Sequence, residues 1–143
     1  MQIVRVQPID APALYAVLHR SGLPQEGVAE HLATALIAYD GAAVVGCAAL
    51  EVYGTHALLR SVAVDAPVRG QGLGQQLTQA ALDLARTVGV CDVYLLTETA
   101  SAFFPRWGFQ PVERTAVPVA VQQSVEFTSA CPASALVMHT AIN

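Results

Sequence analysis

The run Arg69-Gly70-Gln71-Gly72-Leu73-Gly74-Gln75 has the residue types and spacing to hold an anion. Three glycines at alternate positions remove side chains where the chain turns, so backbone N–H groups can converge on a ligand. Helical spacing begins immediately after them. The first turn of a helix offers N–H groups without intrahelical partners and carries the positive end of the helix dipole. Phosphate is the ligand such a place suits best. Arg69 can add a charge-assisted bond to it.

Two familiar phosphate motifs do not fit. A Walker loop requires a lysine after its last glycine, and all seven basic residues of this chain are arginines. A dinucleotide fingerprint follows the first strand of a parallel sheet, whereas three strands of antiparallel pattern precede this loop. Asp92 lies at about the right distance downstream for a ribose contact, but it begins its strand instead of ending it. The lack of lysine also excludes Schiff-base chemistry. With a net charge of −4, the chain has no basic patch for nucleic acid. Cys47, Cys91 and Cys131 form no close pair, and no His or Cys spacing suits a metal, so no metal is predicted.

The elements that must position this loop follow from periodicity. Gln2 to Gln7 alternates as a strand, and Asp10 with Pro12 opens a helix that Gly22 ends. A short helix is expected over Gln25 to Leu32. Ala35 to Tyr39 and Ala43 to Tyr53 form a hairpin around Asp40-Gly41, and Ala57 to Asp65 adds a third antiparallel strand. After the loop, Leu73, Leu77, Ala81, Leu84 and Val88 share one helical face. Asp92 to Thr97 is a buried strand, parallel to the one before the loop. Short helices over Ala100 to Trp107 and Pro118 to Thr128 alternate with strands Phe109 to Glu113 and Ala135 to Thr140. The 143 residues carry no repeat or linker, so one domain over 1–143 is expected. No apolar run reaches a membrane span, and the N-terminus lacks a signal-peptide pattern, so the expected location is cytoplasmic.

Arg69-x-x-Gly72-x-Gly74, the preceding Ser61-Val-Ala-Val-Asp65 and the later Ala100-x-x-Phe103-Phe104-x-x-x-Gly108-Phe109 resemble the GNAT N-acetyltransferases, whose acetyl-CoA loop reads Gln/Arg-x-x-Gly-x-Gly/Ala. The resemblance covers almost the whole chain. It implies an α+β (or α/β) GNAT fold, a mixed central sheet of about six to seven strands flanked by helices. It also implies acetyl-CoA as co-substrate. The backbone of Val62, Ala63 and Val64 would pair with the pantetheine amides. The N–H groups of Arg69, Gly70, Gln71, Gly72, Leu73, Gly74 and Gln75 would hold the pyrophosphate. Phe104 would sit beside the departing thiolate, where many relatives place a tyrosine as general acid. A phenyl ring has no proton to give, which leaves a non-catalytic acyl-CoA-binding domain as the rival reading.

Gly46-Cys-Ala-Ala-Leu50, Leu95-Leu-Thr97 and Ala133-Ser-Ala-Leu-Val-Met138 are similar to the acetyltransferase domain of N-acetylglutamate synthases. The tail from Val117-Pro through Glu126-Phe and Cys131-Pro-Ala-Ser134 is similar to the small N-acetyltransferases of arsenic-resistance operons. These resemblances imply a small amino-acid-like amine as acceptor, with glutamate, phosphinothricin and arsinothricin as candidates. Such an acceptor calls for arginine and a base. Arg60, two residues before Val62 and expected on the same face, is the candidate for the acceptor's anion. Arg106 and Arg114 stand behind it. Glu51 is the candidate base, with His56 and Glu98 as runners-up, and Tyr53 is a candidate acid. The apolar C-terminal strand makes a homodimer plausible.

Overall fold

The computed structural model describes residues 1–142, and their backbone forms one seven-stranded sheet in the order β1-β2-β3-β4-β5-β7-β6. The strands are β1 (Gln2–Arg5), β2 (Ala35–Asp40), β3 (Ala43–Tyr53), β4 (His56–Val64), β5 (Asp92–Thr97), β6 (Gln110–Pro111) and β7 (Leu136–Ala141). The helices are α1 (Ala11–Arg20), α2 (Leu73–Thr87) and the single turn α3 (Val119–Gln122). All strand pairs are antiparallel except β4 and β5, which α2 connects. The sheet is therefore mixed, as a strand–helix–strand crossover requires. Among the described residues, no helix is long and apolar enough to cross a membrane.

Alternation along the strands sends apolar side chains to both faces. On one face, Leu73, Leu77, Ala81 and Leu82 of α2 pack with Ala48, Leu50, Leu59 and Leu95. Each fully buried leucine there contributes about 1.5–3 kcal/mol, and truncating Leu77 to alanine would cost about 2–5 kcal/mol. On the other face, Leu14, Val17 and Leu18 of α1 cover Ile37, Cys47, Ala49 and Ala63. A smaller cluster joins Leu58, Tyr94 and Val137 to Val117 and Val121 at α3. β7 is paired along its length by β5 on one side and at Met138 and His139 by the two-residue β6 on the other.

One local irregularity shapes everything near the loop. Ala49 pairs with Arg60 and Cys47 with Ala63, so Ser61 and Val62 together face Ala48. This is a β-bulge, and Ser61 occupies it with φ 60°. The extra residue reverses the alternation beyond it. Arg60 projects with Ala49 and Glu51, whereas Val62 and Val64 pack on the α2 side. The expectation that Arg60 and Val62 share a face is thus corrected: a one-residue insertion flips every side chain after it.

Candidate active site

β4 and β5 run paired from His56↔Asp92 to Leu59↔Leu95 and then part. β4 stays with β3 to Gly46↔Val64, and β5 stays with β7 to Thr97↔Leu136. The bulge at Ser61 falls where the two separate, and bulges bend strands. The parting leaves the edge of residues 61–63 without a strand partner on that side. It also opens a cavity of about 500 Å³, whose wall includes Val62, Thr97, Phe104, Glu126 and Cys131.

Beside it lies a second hollow of about 300 Å³, formed by Val64, Arg69, Gly70, Gly72, Gly74 and Phe103 with their neighbours Leu73 and Gln75. Phe103 borders both. Gly72 caps α2 with φ 82°, and a side chain there would meet nothing within 4 Å. The N–H groups of Leu73, Gly74 and Gln75 precede the first bond of the helix, which runs from Gln76 to Gly72 O. Among the described residues, no backbone carbonyl accepts from Gly70, Gln71 or Gly72 either. A cup of unused donors at a helix start fits a pyrophosphate. Arg69 borders this cup, but its Nε donates to Val64 O at 2.9 Å. Gln71 is exposed and outside the lining, and the Ala63 side chain turns away into the α1 cluster.

The three residues expected to do acid–base or anion work come together. Arg60 Nη1 donates to Glu51 Oε2 at 2.7 Å, and the Tyr53 hydroxyl donates to Glu51 Oε1. Glu51 pairs with Leu58 across the ladder and Arg60 with Ala49, so the two are diagonal neighbours on one face. Glu126 Oε2 stands 3.3 Å from Arg60 Nη2, and Pro24 O and Ser61 Oγ accept from the same guanidinium. His31 Nε2 lies 3.7 Å from Glu51 Oε1. Burial pushes the Glu51 carboxyl upward, but hydrogen bonds from Tyr53, Ser124 and Arg60 outweigh it and hold the group below the usual carboxylate range. Burial raises the Tyr53 hydroxyl, and the neighbouring Glu51 charge raises it further. Burial likewise raises Glu126 above the ordinary range, with Arg60 only partly opposing it.

Two expectations change in consequence. Arg60 does not offer a free guanidinium: its side chain has no solvent exposure and is shared by two carboxylates. Nor do Glu51 and Tyr53 line the cavity; they lie behind Arg60. Arg106 bonds Phe103 O from an exposed position, and Arg114 bonds Pro132 O and Ala135 O, so neither supplies a cation to the wall. His56 sits beside Asp92 at the closed end of the β4–β5 pair, whereas Glu98 is at the cavity rim. Phe104 is buried against Phe103 and Phe109 and borders the cavity. Glu126 was not foreseen. Its signal was a lone charge between Val125 and Phe127 in a segment whose apolar residues read as a helix face. The structure instead makes it the first residue of a π-helical turn, Glu126–Ala130.

Residues 31–111 match the family described as the acetyltransferase (GNAT) domain. The chain is 33% identical over 94 residues to an uncharacterized N-acetyltransferase of Chlorobaculum tepidum, covering 65% of this chain and 60% of that protein. It is 38% identical over 79 residues to an amino-acid acetyltransferase of Mycobacterium tuberculosis, covering 54% of this chain and 45% of that protein. The chain thus spans less than two thirds of the length of both relatives. Its fold superimposes on N-acetylglutamate synthase from Neisseria gonorrhoeae, complexed with coenzyme A and N-acetyl-glutamate. The TM-score is 0.84 at 19% identity, over 99% of this chain and 35% of that one.

Proposed function

The chain belongs to the GNAT acetyltransferase family, and on that premise we propose that it transfers acetyl from acetyl-CoA to the amine of a small amino acid or amino-acid analogue. The observation that carries this reading is the parting of β4 and β5 beside the uncommitted N–H groups at the start of α2. Those donors suit the pyrophosphate, and the unpaired edge of residues 61–63 suits the pantetheine amides as an added strand would. The thioester supplies an activated acyl group with a good leaving group. The protein's part is to hold the amine against it, unprotonated and away from water. The gonococcal synthase, complexed with N-acetyl-glutamate, and the mycobacterial amino-acid acetyltransferase support an amino-acid-like acceptor.

The tail that resembles the arsenic-resistance kind brings Glu126 and Cys131 to the cavity wall, and the buried carboxylate there disfavours the doubly anionic candidates glutamate, phosphinothricin and arsinothricin against amines with one acidic group or none. The roles expected of Glu51 and Tyr53 become positioning roles in this proposal: they fix Arg60, which in turn faces Glu126. A second reading is favoured by Phe104. It has no acidic proton at a position bordering the cavity, as a non-catalytic acyl-CoA-binding domain would tolerate. An acetyl-CoA assay over a panel of primary amines, read by thiol release, separates the two.

A further inference from the structure

The charges around the cavity are unequal. Its wall carries Arg60, Glu126 and Glu98, and Arg60 is already bonded to Glu51 behind it. Of these, Glu98 is exposed on the rim, and Glu51 is sealed from the cavity with both oxygens hydrogen-bonded. Glu126 differs from both. It is 95% buried (5% exposed), yet it borders the cavity. Among the described residues its carboxylate has one close cation, Arg60 at 3.3 Å, and Arg60 is shared. A buried carboxylate facing a cavity with half a counter-ion is poised for a second cation.

We propose that Glu126 is the carboxylate that receives the acceptor's ammonium group, takes its proton for attack, and makes the cavity select amines with at most one anionic group. This rests on the acetyltransferase reading above and adds the residue and the charge class. The ammonium gives one proton to Glu126, directly or through a water. The amine nitrogen then forms a bond to the thioester carbonyl carbon. When the C–S bond breaks, the nitrogen's second proton neutralises the leaving thiolate, and Glu126 returns its proton to solvent. The sum is an amide, CoA thiol and one released proton.

The groups facing Glu126 fit this role. Arg60 of β4 opposes its protonation, Glu51 of β3 and Glu26 of the loop between α1 and β2 add negative charge, and Glu98 lies on the wall of the same cavity. Cys131, on the same wall, is pushed by burial and then by Glu126 to about 12, so it remains a thiol at neutral pH and leaves the carboxylate as the proton acceptor.

The test uses a panel of primary amines graded in net charge, including the matched pair L-glutamine and L-glutamate, with Glu126→Gln and Glu126→Asp variants. Amines with one or no carboxylate should exceed matched dianionic ones in kcat/KM by about ten-fold or more. Glu126→Gln should lower kcat/KM for the best amine by about 100-fold or more and remove the acid limb of its pH profile. It should leave the calorimetric affinity for acetyl-CoA within about two-fold, which also reports an intact fold. Glu126→Asp should retain the acid limb at an intermediate rate. Preference for dianionic acceptors, or a Glu126→Gln enzyme within about three-fold of wild type, would overturn this inference while leaving the acetyltransferase assignment standing. Absence of acetylation for every amine would overturn both.

Discussion

Arg60 Nη1 and Glu51 Oε2 lie 2.7 Å apart with 0% and 1% of their side chains exposed, and Glu126 approaches the same guanidinium from the cavity side. The three residues form an ionic cluster in which Arg60 and Glu126 border the cavity and Glu51 lies behind, so the Arg60 guanidinium is no ligand in waiting. The cluster's members come from strands β3 and β4 and from a turn late in the chain, so it also ties the C-terminal segment to the centre of the sheet.

Replacing Arg60 by alanine would strand two buried carboxylates. The expected loss of stability is about 3–5 kcal/mol, as for other broken buried pairs, measured by urea denaturation. A loss below about 1 kcal/mol would show that the two acids are hydrated and the cluster loose.

The two carboxylates should respond to pH with opposite signs. Glu51 is held below the ordinary carboxylate value of 4.5, so its contribution is present above that value and is lost as pH falls through its folded pKa. Glu126 is raised above 4.5, so its contribution is fully present below that value and is lost as pH rises through its folded pKa. Denaturation midpoints between about pH 3 and 8 should therefore flatten on the acid side in Glu51→Gln and on the neutral side in Glu126→Gln. The same change in both variants would contradict the assignment.

How much of this was legible in the sequence depends on which interactions are local. The hairpin at Asp40-Gly41, strand Asp92–Thr97 and the α2 face declare themselves through turn chemistry and periodicity, and the structure has them at those residues. The bulge at Ser61 does not, because nothing in Arg-Ser-Val-Ala-Val marks an extra residue; only the pairing of Cys47 with Ala63 reveals it. The convergence of Glu51, Tyr53 and Arg60 was half legible, since strand adjacency was foreseen. Their saturation by Glu126 is not legible, because the apolar spacing of Pro118 to Thr128 reads as a continuous helix. In the structure α3 stops after one turn at Gln122, and a π-helical turn then directs Glu126 inward.

Tyr53→Phe removes the hydrogen bond to a buried carboxylate and should cost about 1.5–3 kcal/mol of stability. Because Tyr53 does not border the cavity, kcat should change by less than about five-fold. A fall of about 100-fold at unchanged stability would return the acid role to this tyrosine.

Gly72→Arg places a side chain in the open space of the anion cup at φ 82°. The left-handed conformation should cost about 1–2 kcal/mol, and acetyl-CoA binding should disappear in calorimetry while the circular dichroism of the fold persists. Unchanged affinity would separate the glycine loop from the cofactor.

The central claim is catalysis and not mere binding, and thiol release from acetyl-CoA measured with and without each amine of the panel tests it most directly. The account predicts release that depends on the amine, saturates with it and yields the acetylated product in equal amount, despite Phe104 in place of an acid. Tight acetyl-CoA binding with no amine-dependent release across the panel would contradict it and leave a binding domain.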